Sequence, residues 1–416
     1  MTNGAAASAS PGADVPTTEI GHVRALTGVR IVAAVWVVVF HIRGNLYSEF
    51  PGTESWAGPL LSHGELGVDL FFTLSGFVLA LNYSARMGRS MQRVSTARFY
   101  WARIARVWPV FFVTLLAAGL WHGLIMRVST DPVPPRDFTV PSFLRQSFLV
   151  ALWTEGDTDR LMWNGPAWSV SAEAFAYALF PIMALLFLRL GRSLRATSLF
   201  VLAFVALVPL LVFVVAYGTM YYPWAWMLRI LCCFVAGALV YEGVRQLRLT
   251  TRSRAVASHA ALGVILLILA WLYGVDAVGH PELAPLVTPL FVLLVGLLAI
   301  GDRHVVRLLG TRWFVIGGAA SYSVYMVHML LIEPVWWSQG RFAWMAPGTP
   351  GSKIAFVLLP FAALAVGYAL WRWFEEPARL AIKRMSSSGR TPPPGPVERP
   401  RPSVGVPTTA PEERVG

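Results

Sequence analysis

Arg30 and His41 sit in one unbroken apolar stretch, TGVRIVAAVWVVVFH, and they are the first residues here whose types and spacing promise chemistry. On a helix, a separation of eleven residues returns to within roughly 20° of the same direction and climbs about 16 Å, so both side chains share one face. An ionisable group inside a membrane-length helix is costly. Its default reading is functional, facing a bundle interior or a water-filled cavity. Histidine is the side chain best suited to moving protons near neutral pH.

Three more apolar stretches carry polar residues. In GELGVDLFFTLSGF, Asp69 lies near one end, with Ser75 and Gly76 about two turns deeper. In NGPAWSVSAEAF, Asn164 is read as an N-cap and Pro166 as a first-turn residue, while Ser169 and Glu173 are four apart on one face. In SYSVYMVH, Ser321, Tyr325 and His328 follow i, i+4, i+7 spacing and make one polar stripe, with Glu333 beyond it. With alternating helix directions, His41, Asp69, Glu173 and His328 are expected at similar depth. A carboxylate beside a histidine orients its ring, and such a pair can deprotonate a hydroxyl for acyl transfer. At the other end, FYWARIARVWPVFF sets Arg103 and Arg106 three apart, a guanidinium pair suited to phosphate.

Each residue also has a plainer reading. Arg30 can anchor a helix end at the interface, and Arg103 and Arg106 can be orientation signals. Asp69 can cap its helix. His328 can be interhelical glue and Ser75 a small packing residue, since no Gly-x-Ser-x-Gly elbow surrounds it. Trp168 can belong to an interfacial aromatic belt rather than stack on a sugar.

The elements that must position these groups follow from composition. Of 416 residues, 56% are hydrophobic and only 13% charged, with a mean hydropathy of +0.58, which excludes an ordinary soluble domain. The expected fold is an all-α polytopic membrane protein of about ten transmembrane helices, at roughly 28–47, 67–85, 99–124, 166–188, 197–217, 225–244, 256–274, 284–300, 314–337 and 354–374. The segment SFLRQSFLVALW at 142–153 is too short to span and is read as interfacial or re-entrant. The net charge of +12 does not indicate nucleic acid, because the arginines cluster in alternate loops. Acidic residues fill the opposite loops, so the positive-inside rule places both termini in the cytoplasm, with a bacterial plasma membrane as the expected location. Residues 1–22 and 385–416 read as tails, the second Pro-rich, and 23–384 as one membrane domain with no second folded domain after it. No internal repeat is visible, which weakens a transporter reading. Cys232 and Cys233 are adjacent, too close in sequence on a helix for a disulfide, and read as packing residues. Neither a zinc-type Cys/His spacing nor a phosphate-binding glycine loop occurs, so no metal and no bound cofactor is expected.

Taken together, the Arg30…His41 helix, GVDLFFTLSGF, RIARVWP at 103–109, WSVSAE at 168–173, SYSVYMVH and the Glu375-Glu376-Pro377 triplet resemble, in this order, the acyltransferase-3 family of integral membrane acyltransferases. The resemblance runs over residues 24–380. It implies transfer of an acyl group, often acetyl, from cytosolic acyl-CoA as co-substrate to a hydroxyl of a carbohydrate or small molecule. It implies His41 as the essential histidine, Arg30 as its partner, and Arg103 and Arg106 on the donor side. Glu173 or Asp69 is read from the residues themselves as the carboxylate that assists the histidine. Ser75, Trp168, Tyr325 and His328 are the substrate-facing candidates. Some relatives carry a hydrolase-like extracytoplasmic domain that is not seen here; others act alone on macrolide or other natural-product sugars. The competing classes are a transporter or flippase of a glycan or lipid-linked intermediate, and a membrane scaffold without chemistry. The resemblance gives no role for Glu375 and Glu376, which are expected to end the last helix beside Pro377.

Overall fold

The computed structural model describes residues 24–84, 93–128, 138–154, 156 and 162–387. Both proposed tails fall largely outside them, as do Arg86, Arg89, Asp131, Asp137, Glu155, Asp157 and Asp159. Among the described residues the chain is helical and contains no strand. Ten helices are long and apolar enough to cross a membrane: α1 Arg24–Glu49, α2 Thr53–Ser84, α3 Ser95–Val128, α4 Ala167–Ser193, α5 Ala196–Tyr217, α6 Ala225–Val244, α7 Thr251–Ala277, α8 Pro281–Ile300, α9 Arg312–Gln339 and α10 Pro350–Met385. Every expected span is present, and the outward faces are apolar. Leu120, Ile182, Val212 and Phe361 are all exposed, the reverse of a water-facing surface and the pattern of a multi-pass membrane protein.

The helices alternate in direction, which separates the charge. At one end Arg106 pairs with Glu375, and Gln246 Nε2 donates to Gly191 O (2.9 Å). At the other, His63 meets Asp276 at 3.0 Å and Ser352 Oγ donates to Glu49 (2.5 Å). We call these the basic and the acidic end.

The most enclosed helix is α6, with 16 of its 20 residues buried, the charged Arg229 and Glu242 among them. It lies against α2 through a reciprocal pair of glycines. A Cβ on Gly76 would stand 1.9 Å from Phe234 O, and one on Gly237 would stand 2.1 Å from Thr73 O. In lipid no hydrophobic force drives helices together, so close backbone approach through small residues supplies the contact. The same device joins α1 to α9, where a Cβ on Gly318 would stand 1.8 Å from Thr27 O. Thus α1, the carrier of Arg30 and His41, is locked to the helix carrying Ser321, Tyr325 and His328.

Three expectations need correction. The fifth span is broken at Ala206-Leu207, because Pro209 has no N–H to continue the ladder. The last helix does not stop at Glu375-Glu376-Pro377. A π-turn at Trp371–Glu375 loosens the ladder just before the proline, and an α-helix resumes over Glu376–Ser387. Asn164 is not the N-cap of α4, a place held by Pro166; it is buried, and its Nδ2 donates to Met326 O on α9 (2.9 Å). The segment read as interfacial or re-entrant begins in a short helix, Val140–Ser147, started by Thr139, whose side chain accepts from Ser142 N (3.3 Å). Cys232 and Cys233 are free and buried, as the packing reading requires.

Candidate active site

A basin of about 940 Å³ opens at the basic end between α1, α2, α3, α9 and α10. Its wall carries Arg30, Arg103, Arg106, Arg372, Arg379 and Lys383 against a single carboxylate, Glu376. Arg106 and Arg379 are held by carboxylates inside the protein. Arg106 is ion-paired to the fully buried Glu375, whose other oxygen accepts from Ser323 Oγ (2.6 Å). Arg379 is held by Glu376 three residues earlier. Arg103 keeps capacity. Its Nη2 donates to Tyr83 OH (3.2 Å) and its guanidinium lies 5.4 Å and 5.8 Å from the Tyr83 and Tyr177 rings. Its Nε is buried with no hydrogen-bond partner, a costly arrangement that an anion in the basin would relieve.

Inward, the basin narrows to a chamber of about 40 Å³ whose lining still includes Arg30, Arg103 and Arg106 and adds Ser75, Glu173, Tyr177 and Tyr322. A second chamber of about 40 Å³ follows, sharing Arg30, Ser75, Glu173 and Tyr322, and reaching Ser169, Ser321 and Tyr325. Across this neck Ser75 Oγ donates to Glu173 in a short hydrogen bond, and Arg30 Nε reaches Ser321 Oγ at 3.4 Å. At the inner limit Tyr325 OH and Ser169 Oγ are 2.8 Å apart. The i, i+4 stripes read from α4 and α9 are therefore real, and they face each other.

Beyond Tyr325 the file ends in two histidines. The Tyr325 and His328 rings are 5.6 Å apart, and those of His328 and His41 4.8 Å. The hydrogen bonds fix their tautomers, because a carbonyl can only accept. His328, fully buried, points Nδ1 at Tyr325 O (2.5 Å), so Nδ1 carries the proton and Nε2 is an acceptor. His41 points Nδ1 at Val37 O (2.8 Å) and at His328 Nε2 (3.3 Å). That Nδ1–H serves both acceptors, and His41 Nε2 keeps its lone pair. His41 is half-buried, with its ring against His328 of α9.

The four groups expected at one depth divide into three places. His41 and His328 form the pair. Glu173 lies in the neck beside Arg30 and Ser75. Asp69 belongs to neither: it is fully buried and doubly bonded by Arg229 of α6, at 3.0 Å from Nε and 2.8 Å from Nη2. Neither carboxylate is in contact with the imidazoles. Trp168 is partly buried, with Arg229 5.1 Å over one face of its ring and Phe72 packed against it at 82°. Arg229, an arginine inside an apolar span, was open to the reasoning that singled out Arg30 and was missed. Glu375 was seen but left without a role. Tyr177 and Tyr322 gave no signal, being tyrosines on aromatic-rich helices.

A family description, acyltransferase domain, matches residues 23–372. The chain belongs to the acyltransferase-3 family. It is 32% identical over 161 residues to acyltransferase MdmB of Streptomyces mycarofaciens, a match covering 38% of each protein. It is 29% identical over 164 residues to protein 2 in the picA locus of Rhizobium radiobacter, covering 37% of this chain and 78% of that protein. The chain thus spans well under half the length of the first of these relatives. No solved structure matches it. The matched family segment contains all ten of the residues weighed above, from Arg30 to His328, and ends at the π-turn of α10.

Proposed function

We propose that this acyltransferase moves an acyl group, most simply acetyl, from acyl-CoA to a hydroxyl of a carbohydrate or glycosylated natural product, in a bacterial plasma membrane with the basic end in the cytoplasm. One observation supports the reading: a cation-lined basin at the basic end narrows to two chambers lined as far as Tyr325, whose ring lies 5.6 Å from His328 and so next to His41, and α1 supplies Arg30 to those chambers and His41 to the pair. The diphosphate of the donor rests against Arg103 and Arg106, and its slender pantetheine arm enters the neck by parting the Ser75–Glu173 hydrogen bond that closes it. Arg30 and His41 are about 16 Å apart along α1. Arg30 therefore does not share the reacting carbonyl with His41; it orders the arm through Glu173, Ser75 and Ser321.

At the far end the acceptor hydroxyl gives its proton to His41 Nε2 as its oxygen bonds to the thioester carbon. The carbon–sulfur bond breaks, and the departing thiolate takes that proton back as the free CoA thiol. His328 is the positioning residue: its Nε2 holds His41 Nδ1–H and so presents Nε2 of His41 to the hydroxyl. A neutral imidazole fills the place a carboxylate takes in other dyads, which keeps the buried pair free of net charge. Asp69 and Trp168, joined through Arg229, brace α2, α4 and α6 around the path.

The test uses purified protein, radiolabelled acetyl-CoA and candidate acceptor alcohols. CoA release should depend on acceptor and vanish in His41→Ala without loss of expression. Movement of a glycan across vesicles with no CoA consumed would replace this reading with a transporter.

A further inference from the structure

The cations of the basin stand in two tiers. Arg103 and Arg106 line both the basin and the first narrow chamber. Arg372, Arg379 and Lys383 line the wide basin and neither of the two chambers. The upper three come from the π-turn of α10 and the helix that follows it. Arg379 and Lys383 lie beyond residue 372, where the family match ends. Their placement depends on two features. The buried Glu375 ties the turn to α3 through Arg106 and to α9 through Ser323. Glu376 then splints Arg379, with Nε at 2.8 Å from one carboxylate oxygen. Arg379 and Lys383 are one turn apart on the same wall.

We infer that Arg379 and Lys383, with Arg372, form a separate anion subsite that holds the ribose 3′-phosphate of CoA while Arg103 and Arg106 hold the diphosphate. This rests on the acyl-CoA reading above and deepens it. The chemistry follows from the donor's own layout. Its diphosphate adjoins the pantetheine arm and must come to the mouth of the neck. Its 3′-phosphate sits at the opposite end of the nucleotide and must stay in the wide part. A dianion there meets two side chains that supply several N–H donors, and charge-assisted bonds to phosphate are the strong ones. An alternative owner of the same cations is the phosphate of an anionic lipid at the membrane surface.

The experiment measures binding of CoA, 3′-dephospho-CoA and pantetheine to the full chain in zwitterionic nanodiscs, which needs no acceptor. Wild type should prefer CoA to 3′-dephospho-CoA by roughly tenfold or more. Arg379→Gln combined with Lys383→Met should bring that ratio to about one while leaving 3′-dephospho-CoA and pantetheine affinities unchanged. Lys383→Arg alone should preserve the ratio. A wild-type ratio near one, or a ratio intact in the double variant, overturns the subsite and leaves the donor reading standing. If wild type binds no CoA at all, the donor reading falls, and the subsite with it. If the double variant changes CoA affinity only when anionic lipid is present, the cations serve headgroups and the inference is wrong.

Discussion

Replacing Asp69 by asparagine tests whether this carboxylate works on substrate or on the fold. Its side chain is 0% exposed and that of Arg229 2%. Two hydrogen bonds of 3.0 and 2.8 Å join them, and Arg229 also reaches the carbonyl of Glu65 at 3.5 Å and the Trp168 ring. Removing the negative charge leaves a guanidinium with no counter-charge in contact. Breaking a buried pair from one side costs about 3–5 kcal/mol, which is roughly two to almost four powers of ten in the folding equilibrium. At about 2–4 °C per kcal/mol for a large domain, the melting temperature should fall by of order 10 °C. Exchanging both partners for apolar residues of similar volume removes the orphan, and such replacements are often neutral. Asp69→Leu with Arg229→Met should therefore regain most of the lost melting temperature. The assay pairs thermal unfolding in detergent with CoA release per folded molecule. If the double variant is as stable as wild type yet has no activity, Asp69 takes part in the reaction and the bracing role is refuted. If Asp69→Asn melts normally, the ion pair is not what holds α2 to α6.

Further outcomes follow from the same geometry. His41→Ala should lower turnover by about 10²–10⁴, the usual worth of a general base, with melting unchanged. His328→Phe keeps the ring volume but loses the acceptor for His41 Nδ1–H; kcat should fall while the KM for the donor stays put, and equal losses in both would assign His328 to donor binding instead. Gly76→Ala forces a Cβ to 1.9 Å from Phe234 O, so it should cost at least the 1–3 kcal/mol of ordinary overpacking, read as a drop in melting temperature, whereas Gly44→Ala meets nothing within 4 Å and should be silent. Orientation is checked by a single cysteine at the exposed Arg303 in a Cys232→Ala, Cys233→Ala background: an impermeant thiol reagent should label it in inside-out vesicles and not in intact cells.

The spans were legible because each is a long apolar run closed by charged or turn-forming residues, and a bilayer imposes that length. The facing stripes of α4 and α9 were legible for the same reason that Arg30 and His41 were: helical periodicity decides which residues share a side. Helical periodicity says nothing about rotation relative to neighbours, and there the reading failed. Asp69 and His41 were placed at one depth, but Asp69 turns toward α6, where Arg229 holds it. The end of α10 was misjudged because a proline usually stops a helix. A π-turn just before Pro377 absorbs the missing donor, and no residue pattern announced it. Glu375 could be seen but not interpreted, because its partners Arg106 and Ser323 lie 269 and 52 residues away along the chain.

The neck also limits which ions can pass between the helices. Two successive chambers of about 40 Å³, closed across by Ser75 and Glu173, have room for a few water molecules and none for a metal ion with its hydration shell. A wider opening between the same helices would offer sodium or potassium a polar route toward the other face of the bundle. With a constriction this tight, hydrated metal ions have no such route through it.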